Sequence, residues 1–383
     1  VKVRFHASSP EGDLPLGPRD LDVPFQTRPN EPHPFLTLGD YLRGLRAFLL
    51  QEEGRPLCRA LGDRFGCRLT PLDLREISIR TEKHGALYHV ASVDLFTGSE
   101  RVRLAASTAV SSRARRCLDG EERLMAELEQ TFSLPYLPKP LLSGHISCGD
   151  GRTKAPLFIL LAEWFEDFHE WHLGTGKEGD PVRVHLWDST DGYRFATEGE
   201  ARDLFREIAR ILTLYYDTSA FRQIVLWHHA AGDFIVRTSK TPLEVRLTTA
   251  RGYRPLPGLT AEAGIHPLVA LCYFLLNLLL RLRLDRQEGV GTPLWAGAWA
   301  VSSALEGFFK ALEEMKTRGR VLPADLPEIH DLLRSFSAGE LLRLHDALPA
   351  LSAEGDPEES PLIQAHLEEH VEAVHQAIQG LFG

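Results

Sequence analysis

The run "LWHHAAGDFIVR", residues 226–237, decides how this chain is read. A tryptophan leads into two adjacent histidines, then two alanines, a glycine, an aspartate and a short apolar run of strand type. Such a run admits three chemistries. His229 and Asp233, four residues apart, suit two ligands of a metal ion on one helical face. A histidine near a carboxylate suits acid–base work, because imidazole titrates at about 6.5. The third is a structural corner whose imidazoles are buried and hydrogen-bonded. Gly232 and the strand-like "DFIVR" speak against the helix that a ligand pair would need, so the corner is favoured over the metal pair.

The flanks set the context. Upstream, "EGEARDLFREIARILTLYY" predicts a long helix over 198–216. Downstream, "DFIVR" and "EVRLTT" predict two short strands around "TSKTPL". Everything after residue 265 reads as helix, over 267–284, 294–316, 324–334, 338–348 and 360–381. Within it, "PLVALCYFLLNLLL" (267–280) is almost wholly apolar, but it is shorter than the roughly 20 residues of a membrane span. It predicts a helix buried on nearly all faces.

Residues 1–36 are rich in proline, glycine and charge and read as an extended, loosely ordered arm. Thr37 predicts the cap of a helix over 38–51, with Asp40 in its first turn, and a second short helix is expected over 57–65. "REISIRTEKHGALYHVASVDL" (75–95) alternates on both sides of "EKHG", which predicts a β-hairpin turning at Gly85. "RVRLAAST" (101–108) continues as a third strand. Leu124, Leu128 and Phe132 mark an amphipathic helix over 119–132. "PLFILLAEWF" (156–165) is an apolar run of strand length, and "EDFHEWHLGTGKEGDP" (166–181) looks like a linker.

The chain has 383 residues, enough for two domains, and a formal net charge of −10. That balance argues against general nucleic-acid or acidic-membrane binding. Cys58, Cys67, Cys117, Cys148 and Cys272 are odd in number and widely spaced, so neither a disulfide framework nor a zinc knuckle is expected. A reducing cytoplasm is the expected setting. "VKVRFHASSPEGD" lacks the apolar core of a signal peptide.

In this order of elements the chain resembles the protein-kinase-like fold, in its aminoglycoside phosphotransferase and choline kinase branch. The resemblance covers roughly residues 75–350 and is one of topology more than of motif. It implies an α+β, bilobal protein: a small β-rich N-lobe over 75–168 and a larger helical C-lobe over 169–383, with 1–74 as an added arm and short helices. The family's catalytic loop runs H-G-D-x-x-x-x-N into an apolar strand. Matching "AGDFIV" to its end puts Asp233 at the metal-binding asparagine, His228 at the catalytic aspartate and Leu226 at the motif histidine. Asp233 and His228 are therefore the catalytic candidates, and Asp233 the metal candidate. The nucleotide-binding candidates are Gly85, Arg103, Glu122, Glu163 and Trp164.

Each of those has an expected part. Gly85 is the one glycine of the phosphate-covering turn. Arg103 is the nearest cation to the missing strand lysine, where Leu104, Ala105, Ala106 and Ser107 stand; Arg101 lies further out. Glu122 or Glu127 would be its helix carboxylate. Glu163 and Trp164 lie in the hinge-like "AEWFED", where Trp164 or Phe165 could stack on a base. Thr248 and Thr249 stand where a second metal-binding aspartate is expected. Missing electrostatic parts of this kind leave roughly 3–4 kcal/mol each to be found elsewhere. The resemblance thus implies a catalytically degenerate, pseudokinase-like ligand-binding or interaction protein, with a divergent ATP- and magnesium-dependent small-molecule phosphotransferase as the alternative.

Two other runs carry less. "HLEEH" (366–370) matches H-x-x-E-H, but no ligand region follows it and the neighbouring glutamates read as a solvated helix face. "SSRARR" (111–116) reads as a solvated helix start.

Overall fold

The hairpin that turns at Gly85 is the centre of a larger sheet in the computed structural model. The structure describes residues 1–9, 12–28, 31–66, 69–85, 87–98, 100–149, 153–177, 179–188, 192–225, 227–229, 232–240, 242–351 and 357–381. The chain is mixed α+β and divides into two compact units. Unit 1 is Val1–Ser133 with Pro138–Glu166; unit 2 is Leu134–Leu137 with Asp167–Gly383.

Unit 1 begins with β1 (Lys2–Ala7), β2 (Leu14–Pro15), α1 (Pro18–Leu21), β3 (Pro24–Arg28) and β4 (Glu31–Thr37). The described residues before Thr37 are therefore not a loose arm. β1 pairs in parallel with β5 (Leu74–His84) over six positions, Lys2 opposite Glu76 through Ala7 opposite Thr81, which satisfies its backbone groups. α2 (Leu38–Leu49) starts at Thr37, whose side chain accepts from the Asp40 N–H while Asp40 accepts from the Thr37 N–H; α3 (Arg55–Phe65) follows. β6 (His89–Thr97), β7 (Glu100–Ala109), α4 (Ser112–Phe132), β8 (Pro140–Cys148) and β9 (Ala155–Glu163) complete a seven-stranded sheet in the order β2-β1-β5-β6-β7-β9-β8.

The two-residue period of these strands sorts their side chains. Ile77, Ile79, Val93, Leu95, Leu104, Ala106, Ile159 and Leu161 share one core with Tyr41, Leu45 and Phe48 of α2 and Leu57 and Leu61 of α3. Gly44 of α2 makes this approach possible: a Cβ there would lie 2.1 Å from Cys148 Sγ. α4 begins seven residues before the amphipathic pattern, because Ser111 caps the basic run by accepting from the Ala114 N–H.

Unit 2 opens with β10 (His169–Gly174), β11 (Arg183–Asp188) and β12 (Gly192–Phe195). The stretch expected to be a linker thus contains a strand, and Trp171 within it is fully buried. Its glycines and charges hid the alternation of Trp171 and Leu173. α5 (Glu198–Leu214) is capped by Thr197; Glu200 reaches back to that cap and to Arg194, which holds its carboxyl down at about 2. β13 (Gln223–Ile224), β14 (Phe234–Arg237), β15 (Glu244–Leu247) and β16 (Tyr253–Arg254) follow. A five-stranded antiparallel sheet runs β12-β11-β10-β14-β15, and β13 pairs with β16.

α6 (Pro267–Leu282) buries Leu271, Phe274, Leu275, Leu278, Leu279 and Leu282, as its apolar run predicts. Among the described residues no helix is long and apolar enough to cross a membrane. The tail is not wholly helical. β17 (Leu284–Arg286) and β18 (Pro293–Trp295) form a short ribbon before α7 (Trp299–Thr317), α8 (Leu326–Ser335), α9 (Ala338–Leu351) and α10 (Glu359–Gly380). α5 and α7 pack closely at Gly307, where a Cβ would lie 2.1 Å from the Arg206 carbonyl oxygen. Arg206 and Arg210 of α5 tie them further, through Glu306 at 2.7 Å and Glu314 at 2.6 Å.

Candidate functional site

The candidate segment links β13 to β14; Leu226, Ala230 and Ala231, including the position matched to the motif histidine, lie outside the described residues. β14 is held by β10, with His169 opposite Val236 and Glu170 opposite Ile235, and by β15, with Phe234 opposite Leu247. Asp233 stands at the start of β14 and is 1% exposed. Its Oδ2 accepts the His228 backbone N–H at 2.8 Å, and its Oδ1 pairs with the Arg251 guanidinium. The Gly232 N–H donates to the His229 carbonyl at 2.8 Å, and Gly232 takes a φ of 67°, which favours glycine. Asp233 thus braces a tight loop by its side chain, while its carbonyl accepts the Thr248 N–H at 2.8 Å.

The two histidines take opposite roles. The His228 imidazole donates through Nε2 to Glu359 Oε1 at 2.6 Å, and Glu359 is 4% exposed. His229 is buried beside Trp171, its ring 4.6 Å from the indole, with Nε2 donating to the Leu282 carbonyl at 3.2 Å. Burial holds its pKa well below the usual imidazole value, against the opposing pull of the hydrogen bond to Leu282. It is a neutral core histidine. Arg281 donates to the Trp227 carbonyl at 3.2 Å, and desolvation lowers its pKa. Nearby Asp285, 1% exposed, accepts the Leu173 N–H at 2.6 Å; burial pushes its carboxyl up to about 6.

Thr248, at the expected second metal ligand, donates its hydroxyl to the Gly232 carbonyl at 3.0 Å. Among the described residues no group of three His, Cys, Asp or Glu side chains is placed to hold a metal ion. Asp233 is also already neutralised by a guanidinium. The residues present do not fit a magnesium site of the implied kind.

The nucleotide-binding candidates lie in unit 1. Gly85 closes the β5–β6 turn, and its N–H is spent on the Tyr88 carbonyl at 2.9 Å. Arg103 lies on β7. Its Nε and one terminal nitrogen donate to the two oxygens of Asp94 at 2.7 and 2.9 Å, and Arg101 donates to the same carboxylate. The Arg103 guanidinium also lies 5.7 Å from the Trp164 ring centre. Glu163, opposite Leu104 on β9, donates its backbone N–H to the Lys139 carbonyl at 3.0 Å. Arg103, Glu163 and Trp164 are therefore neighbours. Glu122 is not among them; it accepts the Ser143 hydroxyl at 2.8 Å.

Sequence reasoning missed four charged residues. Glu121, rather than Glu122 or Glu127, is the buried carboxylate of α4; it accepts the Tyr88 hydroxyl at 2.7 Å. Its position in the series Ala114, Leu118, Glu121, Met125, Leu128 was a legible signal. Arg251, Asp285 and Glu359 carry no such signal, since Arg251 and Glu359 meet the loop, and Asp285 meets β10, only through tertiary contacts. The "HLEEH" run is not a solvated face at its end. His370 is fully buried against Arg283, and Glu369 pairs with Arg283 at 2.9 Å.

No protein-family model matches this chain, and no curated protein matches it.

Proposed function

We propose that this chain is a kinase-like, bilobal protein of pseudokinase character, which works by holding a ligand or a protein partner rather than by transferring phosphate. The observation that carries this reading is the commitment of Asp233: both of its carboxylate oxygens are taken by the chain itself, one by Arg251 and one by the His228 N–H. The loop is braced rather than poised. Thr248 and Thr249 at the expected aspartate, and Asp94 rather than a helix carboxylate beside Arg103, support the same reading. ATP or another nucleotide is the ligand the reading suggests, and the cysteine usage suggests a cytoplasmic setting.

The test is an ATP-turnover assay with magnesium on the wild type and on Asp233→Ala. No turnover above the protein-free rate is expected in either. Turnover in the wild type that Asp233→Ala abolishes would overturn the reading.

The second reading is a divergent small-molecule phosphotransferase. What favours it is His228, matched to the catalytic base and held at 2.6 Å by buried Glu359. A buried carboxylate can orient an imidazole for proton transfer. On this reading, His228→Ala abolishes activity, whereas Glu359→Gln lowers it and shifts its pH profile.

A further inference from the structure

We infer that Arg251 is a built-in cation that replaces a divalent metal ion at Asp233. A carboxylate as buried as this one needs a counter-charge. A metal ion is one solution, and a guanidinium from the same chain is another. Arg251 follows β15, in the segment where the resemblance expects a second metal-binding aspartate. The chain thus places a cation on the stretch expected to supply an anion. The Thr248 hydroxyl is turned to a backbone carbonyl, and no third ligand stands by among the described residues.

The two solutions behave differently. A metal ion exchanges with solvent and answers to chelators. A guanidinium stays charged at every accessible pH and cannot leave. With the His228 N–H on the other oxygen, it also fixes the carboxylate's orientation. The Arg251 side chain is 27% exposed, so part of the cation still reaches solvent. A phosphate-bearing ligand would then meet an arginine rather than a hydrated ion, and would bind without metal. The identity of the ion replaced rests on the kinase-like reading; the Asp233–Arg251 pair itself does not.

Thermal unfolding with millimolar MnCl2, MgCl2 or EDTA separates these cases. The wild type is expected to keep its Tm in all three. Arg251→Ala is expected to unfold earlier in EDTA and to gain about 2 °C or more with MnCl2, because the Asp233 oxygen that Arg251 held is then open to the ion. Arg251→Ala combined with Asp233→Asn removes both charges and is expected to show no response. Should Arg251→Ala fail to fold, Arg251→Gln keeps a hydrogen bond to the carboxylate without the charge and takes its place. A wild-type response to MnCl2 that Asp233→Asn removes would overturn the inference. So would a folded Arg251 variant that gains none. ATP is the second arm. Stabilisation of the wild type by ATP in EDTA supports metal-free binding, and stabilisation that strictly requires magnesium overturns it. No response to ATP under any condition counts against the kinase-like reading alone, since the metal arm decides the role of Arg251.

Discussion

The two units bury different things. The core of unit 1 is a sheet face of Ile, Val, Leu and Ala closed by two helices; among its described residues the buried charged groups are Asp94 and Glu121, each with hydrogen-bond partners. Unit 2 buries Arg210, His229, Asp233, Arg283, Asp285, His345, Glu359 and His370. Apolar burial is non-directional and tolerates change by small steps. Buried charge depends on each partner staying in place and on pH. Unit 1 should therefore respond to volume, and unit 2 to charge.

Arg283→Ala is the largest expected break in that contrast. Arg283 donates to the Ala296 carbonyl at 2.7 Å, pairs with Glu369 at 2.9 Å and lies 4.6 Å from the Trp295 ring centre. Its removal is expected to destabilise unit 2 by about 3–5 kcal/mol. Denaturant melts read by amide exchange should show the loss in peptides of α6, α7 and α10 and not in the unit 1 sheet. Equal loss in both units would erase the distinction.

Lowering the pH sharpens the same comparison. Burial holds the pKa of His229, His345 and His370 below the usual value. In the unfolded chain each imidazole takes up a proton as pH falls through about 6.5, whereas the native fold resists it. Each group therefore removes stability below that pH, by up to about 1.4 kcal/mol per pH unit, and contributes no change above it. Asp285 works the other way: the native carboxyl takes its proton at about 6, before the unfolded one does, which offsets part of the loss between pH 6 and 4. A net loss of roughly 2–3 kcal/mol in unit 2 between pH 7.5 and 5.5 is expected. Exchange profiles that change equally in the two units would contradict this.

Asp285→Asn is the smallest effect and the most specific. The amide keeps an acceptor for the Leu173 N–H and removes a buried charge. Above pH 6 the variant should be more stable by about 1–2 kcal/mol, and the gain should vanish at about pH 3, where the wild-type acid is neutral in both states. A loss of stability at pH 8 would show that the ionised form is needed.

Much of the fold was legible because its elements carry local signals. Thr37 and Asp40 cap α2, the alternation around Gly85 makes a hairpin, and the apolar run of α6 is buried. The failures were elements stabilised from a distance. β1 is a strand because β5 pairs with it, and β10 is a strand because it lies between β11 and β14. At the candidate site the sequence singled out Asp233 and His228, and tertiary structure supplied their partners, Arg251 and Glu359, 18 and 131 residues away.

By itself, then, the sequence determined the elements that carry their own caps and periodicity, such as α2, the Gly85 hairpin and α6, and which loop carries an unusual pair of histidines, since periodicity and capping act over a few residues. Only the tertiary structure decided what Asp233 does. A carboxylate's role depends on which charge stands beside it, and that charge arrives from elsewhere in the chain.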